Sequence, residues 1–510
     1  MKKEKHVIVI GAGLSGMSCG IYLLNNGYRV TILERNTSVG GLCTGWYRQG
    51  RYVDGCIHWL SGSKDNHLCN DIWKDIGGIN SEDDVVYPES WGDFDYHGTI
   101  VRFLRDYKKA EQEWLIIAPE DKKMIKHFFK MVKNFIKTEL PMDKPIDMLP
   151  FHRLVKTGFD IIRHPSYLWS MSIHTDEYAR KFKNPAIRWA LEHAQPGPGN
   201  LFSMVFSYAT IAANSGGIPL GGSKAFVERI KNRFLALGGE LRLNCDVKKI
   251  NTHKYYASGV ELKNGENLLA DYVVSSADPY FTMTTLLENK YKAKNITKRY
   301  ENTKRFPTIS TLLMTYEIEG LGEKEINTSF LCEPIDMFGR KIKYVNLHSF
   351  NYDPKQYVKN NKTVCQTLIH LFDNDYHNWA KVYEADKKQY RLEKERMQRE
   401  IVLRLERQFP EFKGKINVLD LFTPVTLKRY TNSFNGSYMT QFTKMTDRLS
   451  HKGTIKGLDN VLLCNAVLQT PGGLPYAAAN GKYAAMRICK LEHHKFHSPK
   501  LKLLRQARNY

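Results

Sequence analysis

One stretch near the start of the chain restricts the possible folds more than any other. A short apolar run at residues 6–10 is followed by Gly11, Gly13 and Gly16, and then by a helical pattern of small and apolar residues at 17–25. This order predicts a strand, a tight turn and a helix. We therefore expect a βα unit whose turn is built from glycine, which tolerates backbone conformations that other residues avoid.

The three glycines have separate roles in such a unit. Gly11 allows a sharp turn, Gly13 leaves out the side chain that would keep a pyrophosphate away from the helix N-terminus, and Gly16 lets the helix pack closely on the strand. A second predicted strand at 28–33 ends at Glu34, where a carboxylate can accept hydrogen bonds from a ribose. Each feature alone also fits an ordinary turn or a solvated strand end. Together they predict a site for an adenine dinucleotide.

A second glycine pair, Gly40-Gly41, follows six residues after Glu34 and precedes the sequence LCTG at 42–45. This arrangement resembles the extended N-terminal fingerprint of FAD enzymes of the glutathione-reductase-like superfamily. In those enzymes the second pair lets the chain cross the phosphates of the cofactor, so the resemblance implies FAD rather than NAD. A surface turn is the alternative, because glycine pairs are frequent in turns.

The composition is that of a globular protein with more than one domain. Of the 510 residues, 42% are hydrophobic and 25% are charged, which is ordinary for a chain that buries a large core. The first apolar run is too short for a signal sequence, and the apolar run at 201–213 is too short for a transmembrane helix. Nine cysteines without CxxC pairs indicate reduced thiols, and their spacing matches no common zinc site. We expect a cytoplasmic protein without a metal.

The chain is strongly basic, with a formal net charge of +22 and an isoelectric point near 9.4. Such surfaces attract nucleic acid, anionic lipid or acidic ligands. We do not expect nucleic acid as a partner, because no nucleic-acid motif with interleaved aromatic residues is present. The C-terminal stretch 493–510 contains basic but no acidic residues. It predicts either peripheral attachment to an anionic membrane, on its inner face, or a solvated tail.

Residues 50–58 (GRYVDGCIH) are similar to a stretch found early in the phytoene desaturase, carotenoid isomerase and retinol saturase group of flavoproteins. The resemblance implies that His58 faces the flavin or the substrate, whereas a structural histidine beside a turn is the alternative. Further along, apolar residues at helical spacing in 122–139 predict either a core helix or the lining of a tunnel for an apolar substrate.

Two later stretches resemble the other FAD segments of the same group. A glycine-rich loop at 216–224, a predicted helix at 225–237 and a strand that ends in Ala277-Asp278-Pro279 form the second segment, with Val247 implied near the adenine. The third segment contains a buried strand at 457–464, followed by PGGLP at 471–475 and an alanine-rich helix.

The third segment implies a particular contact with the flavin. A helix N-terminus directed at the pyrimidine side of the ring stabilises negative charge on the reduced cofactor, and Gly472 and Gly473 let the backbone approach it. Asn465-Ala466 and Tyr476 stand where the group usually has glycine. We therefore expect a more crowded flavin face than the group usually has.

The resemblance implies an α/β fold: a discontinuous, glutathione-reductase-like, Rossmann-type FAD-binding domain with an inserted α+β substrate-binding domain. The predicted FAD-binding segments are 1–89, 214–299 and 415–490, the predicted substrate-binding segments are 90–213 and 300–414, and the basic tail is 491–510. The candidates for acid–base catalysis are His58 and Tyr476. The residues expected to bind FAD are Gly11, Gly13, Leu14, Ser15, Gly16, Glu34, Arg35, Gly41, Leu42, Val247, Ala277, Gly472, Gly473 and Leu474.

The implied activity moves a hydride and a proton between the flavin and C–C bonds of a hydrophobic polyene or unsaturated lipid, such as a carotenoid or a retinoid. Desaturation, saturation and cis/trans isomerisation all fit. A fatty-acid double-bond isomerase and an amine oxidase-like enzyme are alternatives, and so is a lipid-binding escort protein, although a carrier without a flavin has no need of Glu34. A single GxGxxG after a strand disfavours an NAD-dependent reductase. The sequence leaves the substrate, the reaction direction, the electron acceptor and the oligomeric state open.

Overall fold

The computed structural model describes residues 4–64, 68–137, 142–155, 159, 165–195, 199–439, 441, 450–470 and 472–499. Its first sheet has six strands, of which the first five run parallel. Val7, Ile8 and Val9 at its centre are fully buried, as expected for a parallel sheet that is covered on both faces. In spatial order the strands are Glu240–Arg242, Arg29–Leu33, His6–Ile10, Tyr272–Ser275, Leu458–Leu463 and Thr454–Ile455.

Strands from three separate parts of the chain build this first sheet. His6–Ile10 pairs with Arg29–Leu33 on one side and with Tyr272–Ser275 on the other, and Tyr272–Ser275 in turn pairs with Leu458–Leu463. The discontinuous Rossmann-type fold that was predicted from the sequence is therefore confirmed. The domain boundaries themselves stay a prediction.

One helix from each of the three parts packs beside the first sheet. Leu14–Leu24 contacts both Gly222–Ala236 and Gly473–Leu491. Leu14–Leu24 and Gly473–Leu491 lie close because Gly481 has no side chain: a Cβ there would be 2.3 Å from the carbonyl oxygen of Ser15. The hydroxyl of Ser18 also donates to the carbonyl oxygen of Ala478 at 2.7 Å, so the two helices are joined by a hydrogen bond as well as by close packing.

The second sheet has eight strands and belongs mainly to the predicted substrate-binding segments. All its neighbours are antiparallel except Asn327–Met337 and Ser90–Tyr96. One edge strand, Ile416–Phe422, lies beyond residue 414, where we predicted the end of the substrate-binding part. In spatial order the strands are Ile416–Phe422, Ser310–Glu319, Lys362–Leu371, Arg340–Ser349, Asn327–Met337, Ser90–Tyr96 and Thr99–Leu104, and Val358–Lys359 also pairs with Lys362–Leu371.

Three small sheets and several helices complete the described structure. The small sheets contain Val247–His253 with Tyr256–Leu262 and Asn267–Leu269, Gly45–Arg48 with Arg51–Asp54, and Leu60–Ser61 with Gly216–Pro219 and Val85–Val86. Other helices are Leu68–Ile76, Tyr107–Ile117, Lys122–Ile136, Pro165–Ser172, Thr175–Ala179, Pro185–His193, Leu201–Ala212, Pro279–Phe281, Lys294–Glu301, Pro354–Tyr357, Asp373–Ala385, Lys387–Gln408 and Pro424–Thr431. None of the helices in the described ranges combines the length and the hydropathy that a bilayer span requires.

The glycine-rich stretch at 216–224 is more ordered than the predicted loop. Its first part is the strand Gly216–Pro219, and the following helix begins at Gly222 rather than at residue 225. The early start has a tertiary cause, because the backbone N–H and the hydroxyl of Ser223 both donate to the carboxylate of Asp54, at 2.7 and 2.6 Å. Asp54 thus ties this helix to the strand that precedes His58.

Candidate functional site

A single cavity of about 530 Å³ is lined by residues from both large sheets. Every predicted site residue except Gly16 lines it. Gly16 instead packs beneath the glycine turn, where a Cβ would lie 2.1 Å from the carbonyl oxygen of Gly11. The lining residues that the sequence predicted are Gly11, Gly13, Leu14, Ser15, Glu34, Arg35, Gly41, Leu42, His58, Val247, Ala277, Gly472, Gly473, Leu474 and Tyr476.

The turn that contains Gly11 and Gly13 lies against the glycine pair Gly40-Gly41 at one end of the cavity. The N–H of Gly40 donates to the carbonyl oxygen of Ala12 at 2.9 Å, and a Cβ on Gly41 would lie 3.3 Å from the Cα of Gly13. Gly13 also precedes the helix Leu14–Leu24, whose N-terminus has no side-chain cap. Uncapped N–H groups at a helix N-terminus that lines a cavity fit a phosphate group.

Glu34 is buried beside this turn and its carboxylate is held by backbone and side-chain donors. One oxygen accepts the N–H of Ala12 at 2.8 Å, and the other accepts the backbone N–H and the side-chain amide of Asn36 at 2.9 and 2.8 Å. Three donors leave acceptor capacity on a carboxylate that has about four lone-pair positions. The arrangement fits a ribose hydroxyl as the further donor.

The third segment supplies a second helix N-terminus to the cavity. Gly472 and Gly473 both have φ of +79°, and the helix that begins at Gly473 has no side-chain cap. A Cβ on Gly473 would meet only Pro475, at 3.9 Å, so space lies next to this backbone. Two uncapped helix N-termini, two glycine turns and a buried carboxylate along one cavity fit the phosphates and the ribose of FAD.

Asn465 stands where the group usually has glycine, and we therefore expected it to crowd the flavin. In the structure its side chain has a structural role. Its side-chain amide donates to the carbonyl oxygens of Ser276 and Ala277 at 3.0 and 3.3 Å, and thereby joins the ends of two neighbouring strands. Tyr476 does extend to the cavity. Burial raises the pKa of its phenol, so Tyr476 keeps its proton at neutral pH.

The structure brings His58 next to histidines that the sequence analysis did not single out. The rings of His58 and His348 are 5.7 Å apart, edge to face. His193 and His370 line the same cavity. Burial lowers the pKa of all four imidazoles, to about 3 for His348 and for His370. These histidines are therefore neutral at physiological pH.

Tyr438 completes this group. Its phenol oxygen lies 3.1 Å from Nδ1 of His370, and burial raises the pKa of the phenol. The signal that could have found His348 is the alternation along its strand, where Tyr344, Asn346 and His348 stand two residues apart. No short motif marks His193, His348 or His370.

Aromatic side chains form much of the remaining wall. Trp59 and Trp91 pack edge to face with ring centres 5.6 Å apart, and Phe94, Phe206 and Phe281 line other parts of the cavity. Apolar walls exclude water and bind apolar ligands.

The acidic residues of the described lining all have hydrogen-bond or ion-pair partners within the protein. They are Glu34, Asp246 and Asp278. Asp246 pairs with Lys263 at 2.7 Å, and Asp278 accepts the backbone N–H groups of Tyr280 and Phe434 at 2.8 and 3.1 Å. A cationic ligand would therefore compete with these partners for any carboxylate of the described lining.

The family model of flavin containing amine oxidoreductases matches residues 14–489 of the chain. The protein belongs to this family. It is an FAD-dependent oxidoreductase, so the predicted cofactor and enzyme class are confirmed, as is the resemblance to the phytoene desaturase and carotenoid isomerase group.

Two relatives and one solved structure illustrate the similarity. The chain is 26% identical over 313 residues to a lycopene-forming phytoene desaturase of Paracoccus sp. (strain N81106 / MBIC 01143), a match that covers 59% of this chain and 60% of that protein. It is 24% identical over 460 residues to the chloroplastic prolycopene isomerase of Daucus carota, covering 86% and 72%. The structure of cyclohexylamine oxidase from Brevibacterium oxydans IH-35A covers 96% of this chain, with a TM-score of 0.55 and 14% identity. This last likeness concerns the fold alone.

Proposed function

We propose that this protein transfers a hydride and a proton between FAD and a C–C bond of an unsaturated, largely apolar chain of the carotenoid, retinoid or fatty-acid type. The observation that carries the proposal is the single cavity, which extends from the glycine turns to the aromatic wall. The two named relatives, a phytoene desaturase and a prolycopene isomerase, support a polyene. Desaturation, saturation and isomerisation all belong to the proposed class of reaction.

In this proposal the chain holds the cofactor and excludes water. The glycine turns and the N-terminus of the helix Leu14–Leu24 would hold the phosphates, and Glu34 would hold the ribose. The N-terminus at Gly472 and Gly473 would contact the flavin. The chemistry that FAD supplies when bound is two-electron transfer as a hydride. The aromatic wall orients the chain of the substrate and keeps the site dry.

Proton transfer needs a group within hydrogen-bond reach of the substrate. His58 and Tyr476, the two candidates from the sequence, line the cavity. The hydrogen-bonded pair of Tyr438 and His370 is a third candidate, because a protonated phenol and a neutral imidazole can together donate and accept a proton.

The direct test uses purified holoprotein that is reduced under anaerobic conditions. Carotenoids, retinoids and unsaturated fatty acids are then added one at a time, and reoxidation of the flavin is followed by its absorbance. Reoxidation reports saturation, and a changed product with the flavin still reduced reports isomerisation. The same compounds are also added to the oxidised holoprotein without oxygen, where reduction of the flavin reports desaturation. We expect one class of unsaturated chain to give one of these three results, and none of the three with any of these compounds would contradict the proposal.

Amine oxidation is the second candidate, because the matching family model describes amine oxidoreductases. The charges of the cavity disfavour amine oxidation. A protonated amine would contact neutral imidazoles, and the three carboxylates of the described lining already have partners of their own. Peroxide formation with a panel of primary and secondary amines would favour this candidate over the first.

We also keep the proposal that the protein binds peripherally to anionic membranes from the cytoplasmic side. Residues 500–510, which carry much of the basic tail, lie outside the described residues. The test compares sedimentation with phosphatidylglycerol vesicles for the full chain and for a chain that ends at residue 499. Equal sedimentation of the two would contradict a role of the tail.

A further inference from the structure

The face of the second sheet that lines the cavity is mostly polar, although Leu368 and Phe94 also line the cavity. Side chains directly opposite each other on neighbouring strands project from the same face, and those two residues apart along a strand share it. Asn327 lies opposite His348, Ser329 opposite Asn346, and His348 opposite Gln366, which shares its face with His370. The polar members that line the cavity are Asn327, Ser329, Asn346, His348 and His370.

The opposite face of the same strands is apolar. Phe330, Val345, Leu347 and Ile369 are buried there against the helix Lys387–Gln408. In an antiparallel sheet with one buried face, the polar face usually meets water. Here the polar face lines the cavity instead, and polar side chains directed into a cavity are a sign of ligand binding.

His348 is the most informative residue on this polar face. Its side chain is nearly buried, with 9% exposure, and its Nε2 has no hydrogen-bond partner within the described residues. Two neighbours already have partners: Asn327 donates to the carbonyl oxygen of Trp91, and Asn346 accepts the N–H of Leu368. A buried polar atom without a partner is unfavourable, so the free nitrogen indicates a missing ligand group.

We infer that the substrate carries an oxygen-bearing group, a carboxylate or a hydroxyl, which hydrogen-bonds to Nε2 of His348. This inference rests on the proposed function and narrows its substrate class. A pure hydrocarbon would leave His348 unpaired and would remove water from the neighbouring amides without replacing its hydrogen bonds. An unsaturated chain with an oxygen at one end would pack its apolar part on the aromatic wall and hydrogen-bond through its oxygen to the polar sheet face.

The test compares matched ligands that differ only in their end group. One series is linoleic acid, linoleyl alcohol and the corresponding C18 diene. The other is all-trans-retinoic acid, all-trans-retinol and the polyene that ends in a methyl group. Each is titrated into the holoprotein in the same mild detergent, and binding is followed by the change in flavin absorbance. The acid and the alcohol distinguish the two sources of the oxygen.

Three variants test whether His348 causes the preference for oxygenated ligands over hydrocarbons. We expect an oxygenated ligand to bind the wild type about tenfold or more tightly than its hydrocarbon, the range for one buried hydrogen bond. His348→Leu should reduce that preference to less than about threefold, and His348→Gln, which keeps a donor and an acceptor, should retain most of it. His377→Leu, on an exposed helix position outside the cavity, should behave as wild type.

The outcomes separate this inference from the proposed function. Equal binding of hydrocarbon and oxygenated ligands, or an unchanged preference in His348→Leu, would overturn the inference even if the flavin still reacts with the chain. Preferential binding without any redox or isomerisation reaction would uphold the inference and contradict the proposed function. Binding of none of the six ligands would overturn the inference, and the carotenoids of the direct test would then decide the proposed function.

Discussion

The phenol oxygen of Tyr438 lies 3.1 Å from Nδ1 of His370, although the two residues are far apart in the chain. Burial lowers the pKa of His370 to about 3 and raises the pKa of Tyr438. At neutral pH the imidazole is therefore neutral and the phenol keeps its proton, and the tautomer of His370 determines which of the two donates the hydrogen bond. Because both groups line the cavity, their arrangement leads to the first prediction.

Tyr438→Phe should lower the rate of the catalysed reaction about 100-fold, the lower end of the range for loss of a proton-transfer group. The FAD content should not change, because the substitution leaves the glycine turns and Glu34 as they are. The measurement is the single-turnover rate of flavin reoxidation at several pH values, with Tyr255→Phe on the protein surface as the matched control. A wild-type rate in Tyr438→Phe, together with a large loss in Tyr476→Phe, would assign the role to Tyr476 instead.

Two glycine variants should separate folding from cofactor binding. A Cβ on Gly16 would lie 2.1 Å from the carbonyl oxygen of Gly11, whereas a Cβ on Gly13 would come no closer than 3.6 Å to the hydroxyl of Ser276. Gly16→Ala should therefore prevent stable folding. Gly13→Ala should fold with a nearly unchanged Tm but bind FAD about tenfold or more weakly, because its methyl group stands at the uncapped helix N-terminus.

The glycine comparison is made on apoprotein, by thermal unfolding and by titration with FAD. Stable Gly16→Ala apoprotein, or wild-type FAD affinity in Gly13→Ala, would contradict the geometry described for the turn.

Glu34→Gln should weaken FAD binding and also destabilise the apoprotein. The amide has one acceptor oxygen in place of the two that now receive N–H groups from Ala12 and Asn36, so a buried donor loses its partner. Such a loss costs about 1–3 kcal/mol in the free energy of unfolding. Urea unfolding and FAD titration measure the two effects, and the exposed Glu411→Gln is the control. A variant as stable as wild type would show that these hydrogen bonds contribute little.

The buried histidines should make the protein sensitive to acid. The pKa of His348 and of His370 is about 3 in the folded protein, whereas an unfolded histidine has a pKa of about 6.5. Between these values the unfolded chain binds protons that the folded chain does not, so stability falls as the pH falls below about 6.5. Between pH 7.5 and 5.5 we expect a loss of roughly 1 kcal/mol for each of the two.

Urea unfolding at the two pH values measures this acid sensitivity. His348→Gln should reduce the pH-dependent loss in the free energy of unfolding by the amount expected for one histidine. It should not destabilise the protein at pH 7.5, because Nε2 of His348 has no hydrogen bond to lose within the described residues. His377→Gln, at an exposed position, should leave the pH dependence unchanged. An unfolding free energy that is the same at both pH values would show that these imidazoles remain accessible to protons.

The βαβ unit that carries the predicted dinucleotide residues could be predicted because its signals are local. Gly11, Gly13, Gly16 and Glu34 stand within one βαβ unit, and their spacing follows from the geometry of a strand, a turn and a helix. The later glycine-rich stretches could be recognised for the same reason. The start of the helix at Gly222 was missed, since it depends on a hydrogen bond to Asp54 from a distant part of the chain.

The substrate half was decided by tertiary structure. The alternation of residues along Arg340–Ser349 determines that Tyr344, Asn346 and His348 share a face, and this was already present in the sequence. The alternation does not determine which face of the strand lines the cavity. The face that meets the cavity depends on the helix Lys387–Gln408, which buries the apolar side of the sheet. The polar side is left facing His58, which stands 290 positions before His348 in the chain. Local stereochemistry thus determined the glycine turns and the strand that ends at Glu34, and long-range packing determined which side chains share the cavity with them.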